Sequence, residues 1–177
     1  ALYANLCSFA LDYAARQKVG GTHLTYNYLR QLPVITPDVY ERDAEWSRGV
    51  PVVEWLLSRV VELTYTAWDL EPFAIDVGCA GPPFRWSSDR RFLLRCELDA
   101  AFFHLYFLSR EDADYVMNTF PIIRKNDEKA HGEYRTKRLI LEIYDEMAEA
   151  ARTGRTYQTR LDPPPADPRV AHPDTRK

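Results

Sequence analysis

The sequence predicts a mainly α-helical protein: a helical bundle of about four to five helices, preceded by a short helix–turn–strand piece and followed by an irregular, proline-rich tail. Three observations lead to this prediction. Apolar residues recur at helical spacing in several segments. One segment near the middle of the chain is apolar on nearly every face, which is typical of a helix buried in a core. Prolines cluster among charged and small residues after Asp162, where no periodic pattern remains.

The composition is that of a globular protein without a strong overall charge. Of the 177 residues, 46% are hydrophobic and 13% are aromatic, so the chain is long and apolar enough to bury a core. Lysine and arginine total 23 against 26 acidic residues, which gives a net charge of −3. A free-standing nucleic-acid-binding domain is usually basic. The balance argues against such a domain but allows a module that supplies one basic edge to a larger assembly.

Cysteine usage and hydropathy predict a cytoplasmic protein. Cys7, Cys79 and Cys96 are odd in number, far apart and outside any CxxC spacing, so neither a disulfide framework nor a zinc site is predicted. No apolar run approaches the roughly 18 residues that a membrane span requires. The chain shows no signal peptide and does not begin with Met, which leads us to expect a fragment or a processed product.

The N-terminal region, residues 1–37, is predicted to contain a helix, a glycine turn and a strand. Apolar residues spaced three and four apart predict the helix over residues 2–18. Gly20 is placed to be the C′ residue that ends it. Residues 22–35 are rich in Thr, Tyr and Leu and are expected to form a strand or a short helix. Residues 38–50 are mostly polar and are expected to be a connector.

Residues 51–154 are predicted to form the helical bundle. Its helices are expected from Pro51 to before Pro72, from about Asp89 to Leu108, from Ser109 to near Phe120, and from Asp127 to Arg152, where Gly154 ends the last one. Residues 72–88 are rich in Gly and Pro and are expected to be a loop. Residues 155–177 are expected to be an extended tail with no core to join.

The stretch from Arg16 to Val34 is the candidate binding site. The residues of interest are a cationic and amide-bearing cluster, a glycine pair, and polar or ring-bearing residues: Arg16, Gln17, Lys18, Gly20, Gly21, Thr22, His23, Thr25 and Tyr28. Adjacent glycines permit positive φ and leave no side chain in the way of a partner. With cations beside them, that partner is plausibly a phosphate chain with bases attached. The same residues also suit a helix C-cap followed by an ordinary strand, with the cations complementing the helix dipole.

Short catalytic motifs occur without the context that they need. The string 76–81 is similar to the glycine turn with which many methyltransferases bind S-adenosylmethionine, but Pro72 shortens the strand required before it and Pro82 blocks the helix required after it. The string 81–84 mimics an N/D/S-P-P-Y/F loop, yet Gly81 has no side chain to accept a hydrogen bond from a target amine. The nuclease-like D-x-K at Asp127 lies in a predicted helix. No catalytic, cofactor-binding or metal-binding residue is therefore predicted.

Two basic clusters allow two interpretations. They are Arg85, Arg90, Arg91 and Arg95, and Arg124, Lys125, Lys129, Arg135, Lys137 and Arg138. Clusters of this kind usually form solvated faces balanced by acids, but they can also follow a phosphate backbone.

Four separated strings carry a resemblance to a known family. They span Asn5–Val34, Glu62–Ala74, Arg90–Ile122 and Gly132–Ala150. In the given order they resemble the C-terminal target-recognition and helical region of bacterial adenine-N6 DNA methyltransferases of restriction–modification and phage-defence systems. These are of the fused type (type IIG or ISP-like), in which one chain carries both catalysis and specificity.

The resemblance implies a non-catalytic DNA-recognition and scaffolding segment. Its partners would be double-stranded DNA and an upstream methyltransferase domain of the same chain, and that parent enzyme would bind S-adenosylmethionine. The nine candidate residues would then contact DNA. Two alternatives stay open: a protein–protein interaction module that docks other subunits of a defence complex without touching DNA, and a small enzyme that uses residues 76–84 as a cofactor loop, which requires residues 73–76 to be a strand in a parallel sheet.

Overall fold

The protein is mainly α-helical, as predicted. The computed structural model describes residues 1–21 and 23–174. The α-helices of this part are α1 Leu2–Leu6, α2 Phe9–Lys18, α3 Tyr26–Leu29, α4 Pro37–Tyr40, α5 Val52–Thr64, α6 Glu71–Asp76, α7 Ser88–Leu105, α8 Arg110–Asn118, α9 Pro121–His131 and α10 Arg135–Thr153. Two short strands, β1 Asp43–Ala44 and β2 Ser47–Pro51, pair antiparallel, and two 3₁₀ turns cover Trp68–Leu70 and Pro168–Val170. No helix in the described ranges is both long and apolar enough to cross a bilayer.

Helix α7 lies at the centre of the core, as its apolar composition predicts. It packs along α10, and α5 and α2 lie against other faces of it. Ala100 and Ala101 are fully buried, and their small side chains allow neighbouring helices to approach closely. Phe102 and Phe103 fill the space beside them. Shortening one of these phenylalanines to alanine would cost about 3–5 kcal/mol of stability.

Two predicted helices are each divided in two. The helix expected over residues 2–18 breaks at Ser8, whose buried hydroxyl accepts a hydrogen bond from the Leu11 amide and caps α2. The helix expected from Asp127 is interrupted at Gly132, where φ is +75° and α9 ends. The Asp127 carboxylate then accepts a hydrogen bond from the Thr136 amide at the start of α10. Both breaks arise because a polar side chain bonds to backbone amides that helix termini leave without partners.

For residues 23–35 the predicted strand is wrong, and the alternative of a short helix is confirmed by α3. This segment forms the single helical turn α3 followed by irregular chain. The Leu29 and Arg30 amides bond to carbonyls of Thr25 and Tyr26 within the turn. No strand in the described ranges pairs with this segment, so these backbone groups satisfy one another locally.

The predicted connector, residues 38–50, contributes to the core. It contains β1 and most of α4 and β2. The bend between the strands buries Trp46 against Trp55, with ring centroids 5.3 Å apart. The Trp46 carbonyl also accepts a hydrogen bond from the Tyr157 amide. A single tryptophan in a polar string is a weak sequence signal, although it dominates the packing of this region.

The tail is irregular, as predicted, but the expectation that it has no core to join is wrong. Tyr157 and Leu161 are buried. Glu97 of α7 is fully buried and accepts hydrogen bonds from the Arg59 guanidinium (2.8 Å) and the Tyr157 hydroxyl (3.0 Å). Because a buried carboxylate requires several partners, Glu97 fixes the tail against the bundle.

A second buried acid fixes the later part of the tail in the same way. Glu62 of α5 binds the Arg90 guanidinium through both carboxylate oxygens, at 2.7 and 3.0 Å, and accepts a hydrogen bond from the Ala166 amide. Arg90 in turn donates to the carbonyl of Pro163 at 2.8 Å. The prolines of the tail therefore follow a defined path over α5 and α7.

Candidate nucleic-acid interface

The candidate residues belong to one exposed segment that is held at both ends. We call residues 19–31, which follow α2, the arm. Apart from half-buried Val19, every residue of the arm that the structure describes is exposed. Beyond the arm, Leu32 is buried, the Pro33 carbonyl accepts a hydrogen bond from the Tyr106 hydroxyl, and the Ile35 amide donates to the Asn5 side chain. The arm is thus available to a partner without being a loose terminus.

The arm and its flanks carry only positive charge. Between Asp12 and Asp38 the sequence contains Arg16, Lys18 and Arg30 and no acidic residue, in a protein whose net charge is −3. An exposed edge of one sign concentrates counter-ions of the other sign, including phosphate groups.

Arg16 is oriented by a neighbouring acid. Its guanidinium binds Asp12 through two hydrogen bonds, of 3.0 and 2.9 Å, and lies over the Phe120 ring at 4.3 Å. Both partners of this pair are about half exposed. Such a pair contributes on the order of 1 kcal/mol or less, so exchanging the carboxylate for a phosphate would cost little.

Gln17 and Lys18 are less constrained than Arg16. Gln17 makes one long hydrogen bond, 3.5 Å, to the Tyr13 carbonyl. Among the described residues Lys18 has no acidic partner. Both lie on the last turn of α2, from which their side chains can reach a ligand on the arm.

The glycine pair does not have the backbone role that the sequence suggested. Gly20 and Gly21 do not adopt positive φ, and helix α2 ends at Val19 in an extended conformation, so Gly20 is not a left-handed C′ residue. A Cβ atom added to either glycine would meet no atom within 4 Å. The fold itself therefore does not require glycine at these positions. The remaining explanation for the two glycines is that a backbone without side chains lets a partner approach closely.

The other candidates on the arm are also exposed. His23 is exposed, and Thr25 occupies the N-cap position of α3 without a side-chain capping bond. Tyr28 is exposed as well. Thr22, the remaining candidate, lies outside the described residues.

Arg30 and Tyr26 belong to the same surface but were not among the predicted residues. The Arg30 guanidinium lies 5.8 Å from the centre of the Tyr26 ring, and that ring is 72% exposed. The absence of acidic residues around Arg30 was visible in the sequence and would have identified it.

The basic clusters differ in how far acids balance them. In the second cluster, Arg124, Lys137 and Arg138 each have an acidic partner. In the first cluster, Arg90 is paired with Glu62, and Arg85 donates to the carbonyls of Arg169 and Val170.

The catalytic motifs lack their required context in the structure as well. Residues 71–76 form helix α6, so a helix and not a strand precedes the glycine turn. The alternative of a small enzyme with a cofactor loop required a strand at residues 73–76, and this requirement is not met. The Gly81 carbonyl accepts a hydrogen bond from the Tyr65 hydroxyl, which is a structural role. Within residues 1–21 and 23–174, no group of three or more His, Cys, Asp or Glu side chains is placed to hold a metal ion.

Comparisons of the chain with protein-family models, with curated proteins and with solved structures found no match.

Proposed function

We propose that this chain is a non-catalytic DNA-recognition and scaffolding segment of a site-specific adenine-N6 DNA methyltransferase of a restriction–modification or phage-defence system. A separate methyltransferase domain of the same enzyme would bind S-adenosylmethionine and transfer the methyl group. The enzyme would act in the cytoplasm. The observation that supports DNA contact is the exposed arm without acidic residues in an otherwise acidic protein. The choice of enzyme class rests on the four strings that resemble that family.

Each part of the arm would make a different kind of contact. Lys18 and Arg30 would bind backbone phosphates, because they are exposed cations without acidic partners among the described residues. Arg16 and Gln17 carry the groups that bind guanine and adenine through paired hydrogen bonds. Gly20 and Gly21 would let a strand approach the backbone. The bundle would hold α2, and with it the arm, in a fixed position.

Duplex binding by charge-deleted variants tests the proposal. Lys18→Ala combined with Arg30→Ala should weaken binding of the chain to a mixed-sequence duplex and reduce the slope of log K against log salt by roughly 2, since each lost phosphate contact contributes about 0.9. Fluorescence anisotropy over a salt series measures both quantities.

A matched control removes the same number of positive charges from a different surface, helix α9. Lys125→Ala with Lys129→Ala removes two exposed cations one turn apart on α9 and should leave affinity and slope unchanged. If the arm variant has the same salt slope as the unmodified protein, the arm does not contact DNA phosphates.

The apolar residues of the arm favour a second candidate function, a module that docks on another protein without touching DNA. Leu24, Tyr26 and Leu29 are large apolar residues that are at least 39% exposed. An apolar contact differs from a phosphate contact because added salt does not screen it. Leu24→Asp with Leu29→Asp would abolish retention on a purified methyltransferase domain at high salt, while the unmodified chain would not bind the duplex at any salt concentration.

A further inference from the structure

A groove on the face of α7 that is turned towards α1 and α5 carries two arginines that have no ion-pair partner among the described residues. Its volume is about 210 Å³, and Tyr3, Thr64, Arg91, Arg95 and Asp99 are among the residues that line it. Arg91 and Arg95 lie one helical turn apart on α7 and point to the same side. None of the acids in the described ranges forms an ion pair with either of them.

The two guanidiniums are held by backbone oxygens. Arg91 donates to the Leu63 carbonyl at 2.7 Å, and Arg95 donates to the Arg91 carbonyl at 3.3 Å. Burial, together with the neighbouring charge of Arg95, lowers the pKa of Arg91. Glu62 counteracts this in part, but its carboxylate is already bound on both oxygens by Arg90. The groove therefore has two ordered cations whose remaining N–H groups suit an anion with several oxygens.

An exposed tryptophan continues the same surface. Trp86 precedes α7 and is 67% exposed, whereas Trp46 and Trp55 are buried. The Arg91 guanidinium lies 3.7 Å from the centre of the Trp86 ring. Arg91 therefore joins the groove to a flat aromatic surface, most of which is open to solvent.

One acid limits what the groove can bind. Asp99 lies one turn beyond Arg95, and its carboxylate accepts a hydrogen bond from the Phe9 amide at 2.8 Å. When ionised, this carboxylate disfavours an anion close to it. An anion is therefore favoured at the opposite end, beside Arg91 and Trp86.

We propose that Trp86, Arg91 and Arg95 form a second DNA-binding surface, which holds a single strand with its phosphates on the two guanidiniums and a base on the indole. A guanidinium pair with an exposed aromatic ring is the combination by which proteins hold unpaired strands without reading their sequence. The inference rests on the proposed function only for the choice of DNA as the partner. In this arrangement the bundle binds the unpaired strand and the arm binds the duplex.

Binding of a labelled oligothymidylate of about 12 nucleotides to the full chain tests this surface, since single-strand sites in proteins cover about 4–16 nucleotides. Arg91→Ala with Arg95→Ala should weaken binding at least roughly tenfold and reduce the salt slope by about 1.4, at about 0.7 for each lost phosphate contact. Trp86→Ala should weaken it by a similar factor. Binding should quench tryptophan emission in the unmodified chain and no longer do so in Trp86→Phe.

The controls separate this surface from general charge and from the arm. Lys125→Ala with Lys129→Ala, the same charge change at the same helical spacing, should bind the oligonucleotide like the unmodified chain. Trp86 is exposed, and the Arg95 guanidinium bonds to a single backbone oxygen in the part of the chain that the structure describes. Trp86→Ala and Arg95→Glu therefore test the surface without removing a buried contact. Unchanged affinity in both, or an equal loss in the α9 control, would overturn the inference. The arm variant Lys18→Ala/Arg30→Ala should still bind the oligonucleotide, even if it no longer binds the duplex. That result would show that the two surfaces bind DNA independently.

Discussion

Arg16 and Lys18 lie two residues apart on the last turn of α2, yet the structure gives them different roles. Arg16 is paired with Asp12 and packed on Phe120, whereas Lys18 has neither an acidic partner nor a ring contact in the described part of the chain. A cationic side chain binds a ligand phosphate more readily when no neighbouring acid already pairs with it. For that reason we expect Lys18 and Arg30 to contribute more to phosphate binding than Arg16 does.

The glycine pair gives a prediction at the same scale. Gly20→Ala and Gly21→Ala should not lower the stability of the fold, because neither glycine has positive φ and an added Cβ meets no atom within 4 Å. Either change should weaken duplex binding if DNA approaches this backbone closely. Thermal unfolding and duplex anisotropy measure the two effects.

Gly132→Ala is the opposite control. At φ +75° it should destabilise the protein by roughly 1 kcal/mol while leaving DNA binding unchanged. Arm alanine variants that bind the duplex as well as the unmodified chain would contradict a close approach to the glycines.

At the scale of elements, helix termini are joined by side chains from neighbouring helices. The Asp99 carboxylate of α7 bonds to the Phe9 amide, the first amide of α2, so one acid sets the position of the helix that leads into the arm. Burial raises the pKa of Asp99 to about 7, against an ordinary value of 3.8, because the ionised form loses solvation. The hydrogen bond and the charge of Arg95 offset this only in part.

The raised pKa of Asp99 predicts how stability depends on pH. Between about pH 4 and pH 7 the folded protein binds a proton at Asp99 that the unfolded chain has lost, so the contribution of Asp99 to stability falls as pH rises through this window. Asp99→Asn keeps an oxygen for the Phe9 amide and removes the titration. It should therefore stabilise the protein on the order of 1–2 kcal/mol at about pH 8 and much less at about pH 4, since the partly accessible side chain retains some solvation.

Urea unfolding at the two pH values measures this difference. Asp76→Asn, at an exposed acid at the end of α6, is the control for the loss of one acidic charge. A stability difference between Asp99→Asn and the unmodified protein that is the same at both pH values would show that Asp99 does not titrate in this window.

At the scale of the whole molecule, two buried acids connect segments far apart in sequence. Glu97 brings together α7, Arg59 of α5 and Tyr157 of the tail, and Glu62 brings together α5, Arg90 of α7 and Ala166. Every one of these partners is a group that would lack a hydrogen bond if the acid were absent. We therefore expect the tail to unfold together with the bundle rather than separately from it.

Removing the central charge tests this connection. Glu97→Gln removes the ion-pair partner of the buried Arg59 guanidinium and should destabilise the protein by roughly 3–5 kcal/mol in urea unfolding. We also expect proteases to cleave the tail of Glu97→Gln at lower urea concentrations than the tail of the unmodified protein.

The surface pair Glu149–Arg152 is the matched control, because Glu149→Gln also removes an acid from an arginine but does so in solvent. It should leave the unfolding midpoint unchanged. Similar midpoints for the two variants would show that Glu97 is not a central connection of the fold.

The sequence by itself determined the elements whose signals are local. Ser109 caps α8, Gly154 ends α10, and the apolar pattern of α7 predicted its central position. These features depend on contacts between residues three or four apart, or on the burial of one continuous helix, and both are legible in a linear string. The positive charge of the arm is equally visible, because a run without acidic residues is a property of the sequence alone. That the arm is exposed is known only from the structure.

Only the tertiary structure decided which charges are compensated and where the tail lies. Glu97 and Arg59 are 38 residues apart and Glu97 and Tyr157 are 60 apart, so no local pattern predicts that they meet. The same holds for Trp46, whose polar neighbours hide its place in the core, and for Arg90 and Arg91, adjacent residues of which one is neutralised and the other is not. Burial and pairing depend on which segments pack together, and packing is a property of the folded chain as a whole.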